Sequence, residues 1–143
     1  VVHYADLVEC LPYDDAVYML KVTGEQLTRM LRHILRDEAF QGEHTEFYQF
    51  SHGMRIVWSR SEGQFRELTL DGEPLHPDRL YSVAVQKYHY NNLKPFLDIT
   101  LEEVERNGKV RVLSTSARDV IEEYLTVNQH LSRTGEGRLV VEE

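Results

Sequence analysis

The stretch "DAVYMLKVTGEQLTRMLRHILRD", residues 15–37, changes its repeat halfway along. Residues 15–22 are rich in strand formers. Thr23 and Gln26 then stand three apart as a capping box, and Leu27, Met30, Leu31, Ile34 and Leu35 follow at helical spacing. The spacing predicts a strand feeding an amphipathic helix of about three to four turns. Downstream, extended segments are expected at residues 47–50, 54–59, 65–70 and 80–85, separated by the turn signals "SEG" and "DGEP". "TLEEVERNG" predicts a short helix with Thr100 as N-cap and Gly108 at its end. "KVRVL" is a brief strand. "STSARDVIEEYLTV" is a second main helix with Ser116 and Asp119 as its box and Val120, Ile121, Tyr124 and Leu125 facing inward, and "RLVV" is a closing strand. Upstream, "VVHYADL" reads as a strand entered in mid-flow, which suggests a domain excised from a longer chain. Together these elements predict one α+β domain, a mixed, largely antiparallel sheet with two main helices packed on it.

The bulk numbers narrow the function classes. The chain has 143 residues, with 41% hydrophobic and 28% charged, which fits one folded domain with a real core. With 24 acidic against 16 basic residues the formal net charge is -8, which repels phosphate backbones and anionic lipid. Neither nucleic acid nor membrane is an expected partner. No apolar run approaches the roughly 20 residues of a membrane span. The one cysteine, Cys10, excludes an internal disulfide and is expected to be a buried small hydrophobe.

Local catalytic patterns are lacking. None of the seven histidines pairs with another at the two-, three- or four-residue spacings that preset a metal site. His33, on the first main helix, reads as a solvated surface residue. There is no G-x-S-x-G elbow, no G-x-G-x-x-G and no phosphate loop. Arg55 reads as a surface strand arginine. One stretch has a different character: "YSVAVQKYHYNNLKPF", residues 81–96. Its first half alternates, with Tyr81, Val83 and Val85 on one side, and it ends in tyrosines, a histidine and asparagines. Aromatic rings at strand ends can stack on bases of any kind. The candidates are Phe47 and Phe50 in "EFYQF", and Tyr88 and Tyr90 in "KYHYNN". If the strand continues, His89 points away from Tyr88.

Several segments, in order, resemble the C-terminal domain of the 5'-nucleotidase family, which includes bacterial UDP-sugar hydrolases, 2',3'-cyclic phosphodiesterases and the animal ecto-5'-nucleotidase. "VHYADLVECLPYDDAVYMLKVTGEQLTRML" resembles the family's opening, with Pro12-Tyr13 for its Pro-Phe pair, Asp14-Asp15 for its small-plus-Asn pair, and Thr23, Gly24 and Leu27 matching directly. "EFYQFSHGMRIVW" is similar to the strand that follows, and "LDGEPLHPDRLYSVAVQKYHYNN" to the segment that carries a stacking ring. "STSARDVIEEYL" and "GEGRLVV" match the last helix and strand.

The resemblance implies that the chain, residues 1–143, is the substrate-binding domain of a bacterial 5'-nucleotidase-like hydrolase of nucleotide phosphate esters. Catalysis would reside in an N-terminal metallophosphoesterase domain that carries two divalent metal ions, so this fragment alone is expected to be inactive. The expected partners are that domain and a nucleotide or nucleoside. Carried over residue by residue, Tyr88 falls at a stacking position. Phe47 or Phe50 falls at the other, as animal or bacterial members are the guide. These two lie on opposite faces of a strand, so one of them serves unless a bulge intervenes. Asn91, Asn92 and Lys94 complete the expected substrate-binding set. The family's Asn-Gly-Gly-Asp-Gly-aromatic loop stands here as Asn91-Asn92-Leu93-Lys94-Pro95-Phe96, with three glycines lost and a ribose-binding Asp replaced by Lys94. The backbone must therefore take another path. The rival reading is a non-catalytic module that binds a ligand or packs on its neighbour. Family members are often exported and a single cysteine also suits the cytoplasm, so the compartment stays open.

Overall fold

The computed structural model describes residues 1–41 and 48–143, and the chain enters through helix α1, Tyr4–Cys10. A strand was expected there. The first turn finds its own acceptor, because the His3 N–H donates to Asp6 Oδ2 at 2.7 Å. Leu7 is the residue it buries, and Pro12 follows its end. Cys10, expected inside, is exposed.

Strand β1, Val17–Thr23, is the middle of a three-stranded antiparallel sheet. It pairs with β5, Leu80–Gln86, from Val17↔Gln86 to Thr23↔Leu80, and on its other side with β6, Arg111–Ser114, where the register shifts between Val17 and Tyr18. Tyr81, Val83 and Val85 turn toward the core, as their alternation predicts. Helix α2, Gly24–Ile34, begins at the predicted box: Gln26 N–H donates to Thr23 Oγ1 and Thr23 N–H to Gln26 Oε1, at 3.2 and 2.8 Å. Two more amides of its first turn, Gly24 and Glu25, donate to the carbonyls of Arg79 and Pro77. Gly24 leaves room for this turn, since a Cβ there would lie 2.1 Å from the His76 carbonyl oxygen.

The second sheet has the order β4-β3-β2-β7. Strands β2, Met54–Ser59, and β3, Gln64–Leu70, form an antiparallel pair with an irregularity between Val57 and Trp58. β4, Glu73–Pro74, continues from β3, and β7, Leu139–Glu142, runs parallel to β2 from Ile56↔Leu139 to Ser59↔Glu142. Of the strand expected at 47–50, Phe47 lies outside the described residues and Tyr48, Gln49 and Phe50 form no strand.

After β5 the chain turns helical rather than extended: α3, Lys87–Asn91, then α4, Leu93–Leu97, then α5, Leu101–Asn107, capped by Thr100 and ended by Gly108 as predicted. Helix α6, Ala117–Val127, starts at Ser116, whose Oγ accepts from Asp119 N–H. Its apolar side is only partly covered: of the residues expected to face inward, Ile121 and Leu125 are half-buried, while Val120 and Tyr124 are 49% and 45% exposed. One core joins the elements. Leu20 and Val22 of β1, Leu27, Met30 and Leu31 of α2, Ile56 and Trp58 of β2, Leu93 and Leu97 of α4, and Val104 of α5 share it. The result is an α+β single domain with two mostly antiparallel sheets and several helices.

Candidate functional site

The turn before β1 organises the region of interest. Asp14 and Asp15 each serve a different helix. Asp14 Oδ1 accepts from Arg118 N–H at 3.0 Å and its Oδ2 from Ser116 Oγ at 2.6 Å, at the start of α6. These bonds, the Ser116 hydroxyl first, hold its carboxyl below the usual carboxylate range. Asp15 Oδ2 accepts from the Tyr88 N–H at 2.7 Å, and Lys87 N–H donates to the Ala16 carbonyl at 2.8 Å. So α3 is attached to the turn at its first residues. Its far end is fixed by Tyr90, which stacks on Tyr18 of β1 with ring centroids 4.5 Å apart and planes 5° apart.

Two residues along a helix turn through about 200°, so Tyr88 faces away from Tyr90. Tyr88 is 53% exposed. It meets Phe96 at 5.4 Å and His89 at 5.6 Å, His89 meets Phe96 at 5.6 Å, and Tyr48 approaches His89 edge-on at 5.4 Å. This cluster brings together α3, α4 and the segment that leads to β2. His89 is therefore beside Tyr88, not on an opposite face, because the strand does not continue.

Residues 93–97 form the short helix α4. Leu93 and Leu97 anchor it in the core. Lys94 Nζ pairs with Asp98 Oδ1, and that bond, helped by Arg29 and His33 against the cost of burial, draws the Asp98 carboxyl down. Arg29 Nη2 reaches Glu103 Oε1 at 2.6 Å while its Nε donates to the Asp98 carbonyl at 3.1 Å. Burial raises the Glu103 pKa, but Arg29 and Thr100 outweigh it, so the net shift is downward. His33, expected to be solvated, is half-buried and donates from Nε2 to the Pro95 carbonyl at 2.9 Å.

Of the residues expected to bind substrate, Tyr88 is exposed at the cluster, Asn91 is exposed on the same helix, and Asn92 Nδ2 donates to the Tyr88 carbonyl at 2.8 Å. Lys94 is exposed and ion-paired. Phe50 is half-buried against the core, and its carbonyl accepts from Arg138 Nη1 at 2.6 Å. Phe47 lies outside the described residues. Phe96, His89 and Tyr48 were missing from the expected set. Tyr88 and Phe96 lie on separate helices, α3 and α4, on either side of the non-helical Asn92, so no single period in the sequence links them. Among the described residues no group of three His, Cys, Asp or Glu side chains is placed to hold a metal ion.

Comparison with known proteins agrees with this architecture. The structure resembles a 5'-nucleotidase precursor from Thermus thermophilus, with a TM-score of 0.79 and 18% identity over 99% of this chain and 28% of that one. It also resembles the NAD nucleotidase of Haemophilus influenzae, with a TM-score of 0.76 and 15% identity over 99% of this chain and 26% of that one. The chain thus spans under a third of these proteins. No curated protein matches it. Residues 1–97 match the family described as 5'-nucleotidase, C-terminal domain. The chain belongs to the 5'-nucleotidase C-terminal domain family.

Proposed function

We propose that this domain holds the nucleoside part of the substrate in a larger 5'-nucleotidase-type phosphoric ester hydrolase. The carrying observation is the Tyr88 ring, more than half exposed yet mounted on a helix tied down at both ends. A rigid, exposed aromatic face is what a base needs for stacking, a contact worth about 1–3 kcal/mol per base. Phe47 or Phe50 would supply the second ring, and Asn91 a polar contact. Asn92 and Lys94 would act next to the ligand through the helix they brace. The phosphate chemistry belongs to an N-terminal metallophosphoesterase domain of the same chain, with two divalent ions. Such ions, when bound, polarise phosphoryl oxygens and supply hydroxide. This chain's part is to bind and orient.

Titration of the 143-residue chain with adenosine, AMP and UDP-glucose, followed by protein NMR, tests the reading. Shifts confined to Tyr88, Asn91, Phe96 and one of Phe47 and Phe50 are expected. No shift at millimolar ligand would overturn it in favour of a packing module. The purified chain should not release phosphate from AMP with added Mg²⁺ or Mn²⁺, and measurable turnover would place the chemistry within it.

A further inference from the structure

We propose that Asp15 is the positioning residue of the aromatic cluster: its carboxylate fixes the start of α3 on β1 and thereby sets where the Tyr88 ring stands. The consequence for binding rests on the nucleoside reading above. The consequence for the ring does not.

Helix α3 has five residues and buries none of them. A helix that short does not hold itself, since isolated helices below about 12 residues are marginal in water. Its place must come from attachments. The Tyr90–Tyr18 stack secures the side that faces β1, and Lys87 N–H on the Ala16 carbonyl holds the first residue. Asp15 adds a side-chain bond at the Tyr88 backbone itself. Its two carboxylate oxygens are divided, Oδ1 accepting from Ala16 N–H at 3.0 Å and Oδ2 from Tyr88 N–H at 2.7 Å. The Ala16 carbonyl takes Lys87 N–H, and the Asp15 carbonyl takes Ala117 N–H at 2.8 Å, so the turn that carries the carboxylate is itself held from α6. The Tyr88 backbone is thus grasped directly, and the ring that projects from it meets Phe96 at 5.4 Å. Asp14, one residue earlier, makes equivalent bonds to α6 and none to α3. It is a built-in control.

The test compares Asp15→Ala, Asp15→Asn and Asp14→Ala in the full chain. Two readouts are used, the ring-to-ring NOE between Tyr88 and Phe96, and adenosine affinity by NMR titration. Asp15→Ala should lose the NOE and bind adenosine about tenfold more weakly, the scale of one charge-assisted hydrogen bond. Asp15→Asn keeps one acceptor oxygen, which can take the Tyr88 N–H but not the Ala16 N–H as well, so both readouts should fall between those of Asp15→Ala and the parent. Asp14→Ala should lower thermal stability while both readouts stay at the parent value. An intact Tyr88–Phe96 NOE in Asp15→Ala overturns the proposal. If Asp15→Ala does not fold, amide exchange in the parent chain decides: the Tyr88 amide should be protected relative to that of Asn91, and an unprotected Tyr88 amide overturns it. A parent chain that ignores adenosine defeats the nucleoside reading, while the NOE comparison still settles the role of Asp15.

Discussion

Tyr88 and Tyr90 differ by two positions and have opposite duties. In a strand they would share a side. In α3 they diverge, one ring flat against Tyr18 and the other open to solvent. Tyr90→Ala should therefore destabilise the fold by about 2 kcal/mol in urea denaturation, through lost burial and stacking. Tyr88→Ala should stay within about 0.5 kcal/mol of the parent, as is usual for exposed sites, yet abolish nucleoside-induced NMR shifts. The sequence showed that rings gather here but not which one faces outward, because that depended on a change of backbone period at Lys87. Gly24 makes a second residue-level case. Gly24→Ala would force the His76 carbonyl away from the helix start and should cost about 1–3 kcal/mol, read from the same denaturation curves.

Helices α2 and α6 carry the same kind of sequence signal with different outcomes. Each starts at a hydroxyl residue whose oxygen accepts from the amide three positions on, and each has apolar residues at helical spacing. α2 puts that face into the core, whereas α6 leaves Val120 and Tyr124 half-exposed and Val127 76% exposed. Periodicity shows that a helix has an apolar side; it does not say what the side meets. Leu27→Ala should cost about 3 kcal/mol by cavity formation, while Val120→Ala should change stability by less than about 0.5 kcal/mol. Chemical denaturation of the two variants checks this contrast. The same limit explains α1. Val1, Val2 and Tyr4 suggested a strand, but the Asp6 carboxylate at the third position captures the His3 amide and turns the chain.

For the molecule as a whole, the carboxylates with lowered pKa all favour the folded state above their unfolded values. Glu136 is the clearest. Hydrogen bonds from Arg138 first and His52 second bring it from 4.5 to about 2. Its contribution is complete above pH 4.5 and is lost as pH falls through about 2, since over that range the unfolded state, with the higher pKa, takes up the proton first. Glu136→Gln should thus be less stable than the parent at neutral pH, and the gap should close between those two values in acid-dependent thermal melts. Fold class and core were legible because Leu20, Leu27, Met30, Leu31, Ile56 and Trp58 lie in strongly patterned segments. The division into two sheets was not. The pairing of β2 with β7 joins residues more than eighty positions apart and leaves no mark on either segment alone.

Both sheets take an outer member, β6 or β7, from beyond Leu97, where the family match ends. During synthesis, then, β1 and β2 must wait with bare amides and carbonyls along one flank until those later strands leave the ribosome. A nascent chain stalled there offers a template to its neighbours, and its solubility in the cell depends on how quickly that stretch arrives.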